Sequence, residues 1–387
     1  MDFRSRINAV LHHQLPDQVP FAPYDNLIPR GDFERMIRNR GMGLCLRRAT
    51  IWEEMPNVSI ETKNEGDISV KIYHTAVGDL ATRSRAHTGR IKDEDLDLDV
   101  EGLIKGIDDY DAALFMIEDT IFHMDESIYY DTYRDVGVDG IVRDAGLQPP
   151  YGATRYLYGG VSGLPRWSQD QHDYPERFDR LTQAVIKREE KRLQLIVDSP
   201  AEYIGLGDLD GTWGPEKIRK YDLPLYQKWV PILRSKGKIC ALHAHALNLS
   251  YFKEIISEIG CDVIEAFTPP PVGNLSIPEA RAAWGRDKVI WINFPETIFW
   301  SGVDETKRYT IDLMKSDAPG NSLVIGFTEM GIWGAVTDQA EHVFRQGTMA
   351  IMEAIEEYGN YPVAAQLIFP IKTSLDLTKS SSRKNLI

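Results

Sequence analysis

AEYIGLGD (201–208), KICALHAH (238–245), CDVIEAF (261–267), KVIWINF (288–294) and SLVIGFTE (322–329) are five short apolar runs set at a regular spacing. Longer amphipathic stretches separate them. PEKIRKYDLPLYQKWVPILRSKG runs to a Gly stop, with Pro224 and Pro231 placed to kink or split it. SYFKEIISEIG follows Asn248, and SIPEARAAWG opens on Ser276 with Pro in its first turn. Near-continuous apolar strands alternating with helices imply a parallel sheet covered on both faces.

Working outward, VPFAPYD (19–25), DAALFMIED (111–119) and DGIVRDAG (139–146) read as three earlier strands. Three and five make eight, which predicts an α/β fold closed as a (β/α)8 TIM barrel. SVKIYHTAVGDLATRSRAH (69–87) alternates about a Gly-Asp turn and predicts an inserted β-hairpin. Residues 173–199 predict a long helix before the fourth strand. We expect one domain over 1–387, with an N-terminal extension, first strand and hairpin insertion in 1–110 and the main barrel in 111–375.

The 387 residues are 43% hydrophobic and 26% charged, enough to bury a large core. A net charge of −14 argues against nucleic acid and anionic membranes as partners. The three cysteines show no knuckle or redox spacing, the start lacks a signal-peptide apolar run, and no stretch is long enough to span a membrane. These features predict a cytoplasmic protein. Homodimer formation is left open.

Barrel enzymes work at the C-terminal ends of their strands. There the sequence places Glu118 and Asp119 after the second strand, Asp208 and Asp210 after the fourth, and His243 and His245 after the fifth. Glu265 follows the sixth, Asn293 the seventh and Glu329 the eighth. Residues two apart on a strand share a face, so His243 and His245 point together. Two imidazoles with a carboxylate from a neighbouring strand, Glu265 or Glu329, form a metal site for which zinc is the expected occupant. The bland alternative is a pair of histidines hydrogen-bonded in a polar barrel mouth. Asp208 and Asp210 are candidates for proton transfer or substrate anchoring, set against a plain helix-capping role. Glu118, Tyr151, Trp213, Phe267, Asn293 and Trp333 are candidate substrate contacts, with Tyr156, Tyr158, Trp167, Phe299 and Trp300 adding to an aromatic wall.

The run GKICALHAHALNLSYFKEIISEIGCDVIEAF, supported by GLGDLDGTWGPEKI, YHTAVGDLATRSR and VIGFTEMGI, resembles the uroporphyrinogen decarboxylase-like superfamily. The resemblance is to its branch of corrinoid-dependent methyltransferases. It implies zinc bound by a His-x-Cys strand end, an acidic residue on the next strand and a Cys on the last. Those places hold His243, His245, Glu265 and Glu329 here, so both family cysteines are replaced. A His/His/Glu set makes a stronger Lewis acid than a thiolate set and suits an oxygen ligand. The resemblance therefore implies an O-demethylase that passes a methyl group from a small methoxylated, aromatic donor to the Co(I) of a separate corrinoid protein. Nicotinamide, nucleotide and flavin are not expected, since no Gly-rich phosphate loop follows a strand. A decarboxylase related to the superfamily's namesake and a catalytically silent ligand-binding barrel are the alternatives.

Overall fold

The structure is a computed structural model that describes residues 1–85, 98–160, 162–209, 211–212, 214–318, 320–329, 331 and 337–363. Its strands in chain order are β1 (Leu44–Arg48), β2 (Ile51–Glu54), β3 (Ser59–Glu65), β4 (Ile68–Thr75), β5 (Gly78–Arg85), β6 (Leu98–Glu101) and β7 (Ile121–Met124). They continue as β8 (Gly140–Asp144), β9 (Tyr203–Asp208), β10 (Ile239–His243), β11 (Val263–Phe267), β12 (Val289–Asn293) and β13 (Leu323–Gly326).

The five apolar runs form β9 to β13, each parallel to the next. Their interiors are almost wholly buried, as strands covered on both faces must be. With β1 and β8 they make a seven-stranded sheet in the order β1-β8-β9-β10-β11-β12-β13. This sheet is TIM-barrel-like but is not closed by a regular ladder. Residues 19–25, expected as the first strand, instead make isolated parallel bridges to both edges, Phe21 to Ile325 and Tyr24 to Cys45. The N–H groups of Ala22 and Tyr24 donate to Ile325 and Phe327 on one side, and Cys45 N–H donates to Pro23 on the other. Pro20 and Pro23 cannot donate, which keeps this segment from pairing as a full strand.

The expected second strand is corrected. DAALFMIED lies in a helix, Tyr110–Asp119, that buries Tyr110, Ala112, Ala113, Leu114, Met116 and Ile117. Those positions recur at helical spacing, and Ala, Leu and Met favour helix. The strand in that place is β1, LCLRR, inside the N-terminal 110 residues. The hairpin forms as β4 and β5, but it turns at residues 76–77 and belongs to a four-stranded antiparallel sheet, β3-β4-β5-β6. Residues 86–87 of the expected hairpin lie outside the described residues.

The helices follow their caps. Pro175–Asp198 precedes β9, and the Pro-containing stretch after β9 splits at Asp222 into Pro215–Tyr221 and Leu223–Ser235, the second keeping Pro231 inside. Ile277–Trp284 starts on a capping box between Ser276 and Glu279. Asp338–Tyr358 is capped by the Thr337 hydroxyl. Among the described residues no helix is long and apolar enough to cross a membrane.

Candidate metal centre

The strand order brings the C-terminal ends of β10 and β13 together across the sheet mouth. His243 closes β10 and is 8% exposed, while His245 lies just beyond and is half-buried. Glu329 arrives three residues past the end of β13. The His243 Nε2 hydrogen-bonds Glu329 Oε1, and His245 Nδ1 lies 3.7 Å from Glu329 Oε2. The two imidazole centroids are 5.2 Å apart. One ligand atom from each of the three residues falls within 4.8 Å of the others. Burial alone would raise the Glu329 carboxyl, but the hydrogen bonds and charge of His243 and His245 outweigh it and hold the group well below the usual carboxylate range.

Two neighbours fix these side chains. Asn293, at the end of β12, accepts through Oδ1 from the N–H groups of Thr328 and Glu329 at 3.0 and 3.1 Å, while its Nδ2 donates to Thr268. The Tyr24 hydroxyl lies 3.3 Å from His243 Nδ1, which leaves Nε2 for the cluster.

Glu265 stands outside this cluster. It is fully buried, ion-paired to Arg143 at 2.9 Å and hydrogen-bonded by the Tyr203 hydroxyl at 2.5 Å, with Oε2 4.0 Å from His243 Nδ1. The Arg143 side chain crosses the face of β9 where Gly205 has no side chain; a Cβ there would sit 2.5 Å from Nη2. Of the two carboxylates the sequence offers, Glu329 is the one brought to the histidines, while Glu265 forms a buried ion pair beneath them.

Asp208 is the register partner of His243 across β9 and β10, and the Tyr156 hydroxyl donates to its Oδ2 at 3.3 Å. Local desolvation and the Asp208 charge push the Tyr156 hydroxyl up to about 12. Asp210, Trp213 and Trp333 lie outside the described residues.

The remaining expected contacts fall elsewhere. Tyr151 is fully buried, stacked on Tyr221 at 4.9 Å and edge-on to Trp167, so it packs helices. Phe267 turns to Trp284 in the outer helix layer because Ala266 has a φ of 57° and the β11–β12 register shifts there. Glu118 is exposed on the helix Tyr110–Asp119 and does not end a strand. Of the aromatic wall, Tyr158, Trp167 and Phe299 are buried, whereas Tyr156 and Trp300 are exposed. Sequence reading missed Tyr24, Arg143 and Tyr203, whose roles depend on packing between distant strands.

Two imidazole nitrogens and a carboxylate oxygen converging at a strand-end rim are a donor set for a first-row divalent ion, so the residues fit a metal. Fold and cluster together define a TIM-barrel-like α/β protein with a candidate metal centre at the C-terminal ends of its strands. Among solved structures, the chain is similar to a methyltransferase from Methanosarcina mazei, with a TM-score of 0.53 and 12% identity over 92% of this chain and 99% of that one. At that identity the likeness is one of fold. No protein-family model matches the sequence, and no curated protein matches it.

Proposed function

We propose that the chain is a metal-dependent methyltransferase that moves a methyl group from a small methoxylated aromatic compound to the Co(I) of a separate corrinoid protein. The observation that carries this reading is the His243/His245/Glu329 cluster, an all nitrogen-and-oxygen donor set at the rim of this fold. A zinc ion held there would supply Lewis acidity to the ether oxygen, the term a methyl ether most needs because alkoxide and phenolate are poor leaving groups.

The chain's own residues do the rest. His243 presents Nε2 because Tyr24 occupies Nδ1, and Asn293 sets the backbone from which Glu329 projects. Asp208, the register partner of His243 and bonded by Tyr156, has in this proposal the role of orienting or protonating the departing oxygen. In the net reaction the methyl–oxygen bond breaks with its electron pair left on oxygen, which takes a proton. The methyl group bonds to the partner's cobalt through the Co(I) electron pair.

The test mixes the purified chain, a reduced corrinoid protein and 4-methoxybenzoate. Loss of Co(I) absorbance matched by release of 4-hydroxybenzoate supports the reading. Demethylation with no corrinoid acceptor present, or none with it, contradicts it.

A further inference from the structure

Among the described residues, Arg47 is a cation at this mouth whose charge no carboxylate answers. It lies near the C-terminal end of β1 and pairs in register with Arg143 of β8. Register partners project to the same side of a sheet, and Arg143 reaches inward to Glu265, so Arg47 also faces the interior. Its guanidinium lies 4.6 Å from the centroid of the Tyr24 ring, the ring whose hydroxyl touches His243. Arg47 Nε is buried with no hydrogen-bond partner. Among the described residues, no carboxylate is ion-paired to Arg47 and its side chain donates no hydrogen bond.

The nearby acids are engaged elsewhere. Arg48 takes Asp25 at 2.9 Å, Arg143 takes Glu265, Tyr156 bonds Asp208, and Glu329 turns to the histidines. A partly buried guanidinium held against an aromatic ring keeps its in-plane N–H fork for an incoming acceptor. Leaving that charge unanswered is unfavourable, and a planar carboxylate answers it with two parallel charge-assisted hydrogen bonds.

We infer that Arg47 anchors a carboxylate on the substrate, which makes the methyl donor a methoxylated aromatic acid. This rests on the methyl-donor reading for the word "methoxylated", but the anchor itself is a matter of binding. Tyr24 contacts both Arg47 and His243, so a single side chain links the anchor to the residue that opens the metal cluster, and an aromatic acid held by its carboxylate on Arg47 extends its ether oxygen toward that cluster.

The experiment titrates the zinc-loaded full-length chain with 4-methoxybenzoate and with its neutral planar counterpart 4-methoxybenzamide, by calorimetry. The expected result is a preference of about ten-fold or more for the acid, the size of a charge-assisted pair. Arg47→Met removes that preference while amide binding stays the same, and Arg47→Lys restores part of it. Equal binding of the two probes, or binding of neither, to the unaltered chain overturns the anchor without any variant having to fold. So does a preference that survives in Arg47→Met, which would place the carboxylate on the metal instead. A preference for the acid with no methyl transfer leaves the anchor standing and removes the transfer reading. Transfer with no such preference does the reverse.

Discussion

Asn293 determines where Glu329 arrives. One carboxamide oxygen at the end of β12 receives two successive backbone N–H groups, of Thr328 and Glu329, and so pins the turn after β13 over the histidines. The carboxylate is thereby presented by a neighbouring strand's side chain rather than by its own loop.

Asn293→Ala removes that acceptor and leaves two N–H groups without it, a loss of about 1–3 kcal/mol. Zinc affinity should fall at least ten-fold, by more than the melting temperature alone accounts for. Asn293→Asp keeps the accepting oxygens and should retain most of the affinity. Competition with a chromophoric chelator measures both.

Glu265 and Arg143 form a pair whose members cannot be removed singly at low cost. Glu265→Gln leaves a buried guanidinium uncompensated and should destabilise the fold by about 3–5 kcal/mol. The double variant Arg143→Met/Glu265→Leu should recover most of that loss in urea unfolding. Zinc stoichiometry should stay at one in Glu265→Gln under conditions where it is folded, because Glu265 lies behind His243 and outside the cluster.

Much of this was legible in the sequence. The runs from 201 to 329 show the period of buried parallel strands, and the i, i+2 spacing of His243 and His245 places them together. Strand β1 was not legible, because LCLRR ends in two arginines, one paired to Asp25 and the other facing the interior beside Arg143, and both placements depend on distant segments. DAALFMIED carried its helical spacing openly, yet its continuous apolar run imitates a buried strand. Phe267 and Glu265 sit two apart but face opposite layers, because Ala266 adopts a positive φ that breaks alternation. The Arg143–Glu265 pair joins β8 to β11 across the interior, and no local pattern encodes it.

Asp222, which is not one of the cluster residues, gives stability a pH dependence of its own. It is nearly fully buried between two helices and accepts from Tyr151 N–H at 3.0 Å, and burial pushes its carboxyl up to about 7. The folded state therefore holds its proton more tightly than the unfolded chain. That contribution is fully present below pH about 4 and is lost as pH rises through about 7. Asp222→Asn keeps the acceptor without the charge, so its stability advantage should grow from pH 4 to pH 8, to at most about 4 kcal/mol. A difference in unfolding free energy that does not change with pH would contradict this.

Glu329 separates two chemistries. As a ligand, Glu329→Gln should weaken zinc binding and slow demethylation together, and Glu329→Cys should regain zinc without regaining ether cleavage, since thiolate donation weakens the Lewis acid. A general acid in the same place would leave zinc content unchanged in Glu329→Gln while the pH–rate profile lost one limb.

The most direct measurement is a zinc titration of the metal-stripped chain against its His243→Ala variant, followed by calorimetry with the melting temperature of each recorded. The account predicts one tight site per unaltered chain and none in the variant, with the fold retained because His243 sits at the strand end, at the rim of the sheet. An undiminished site in His243→Ala, or no site in the unaltered chain, would contradict it.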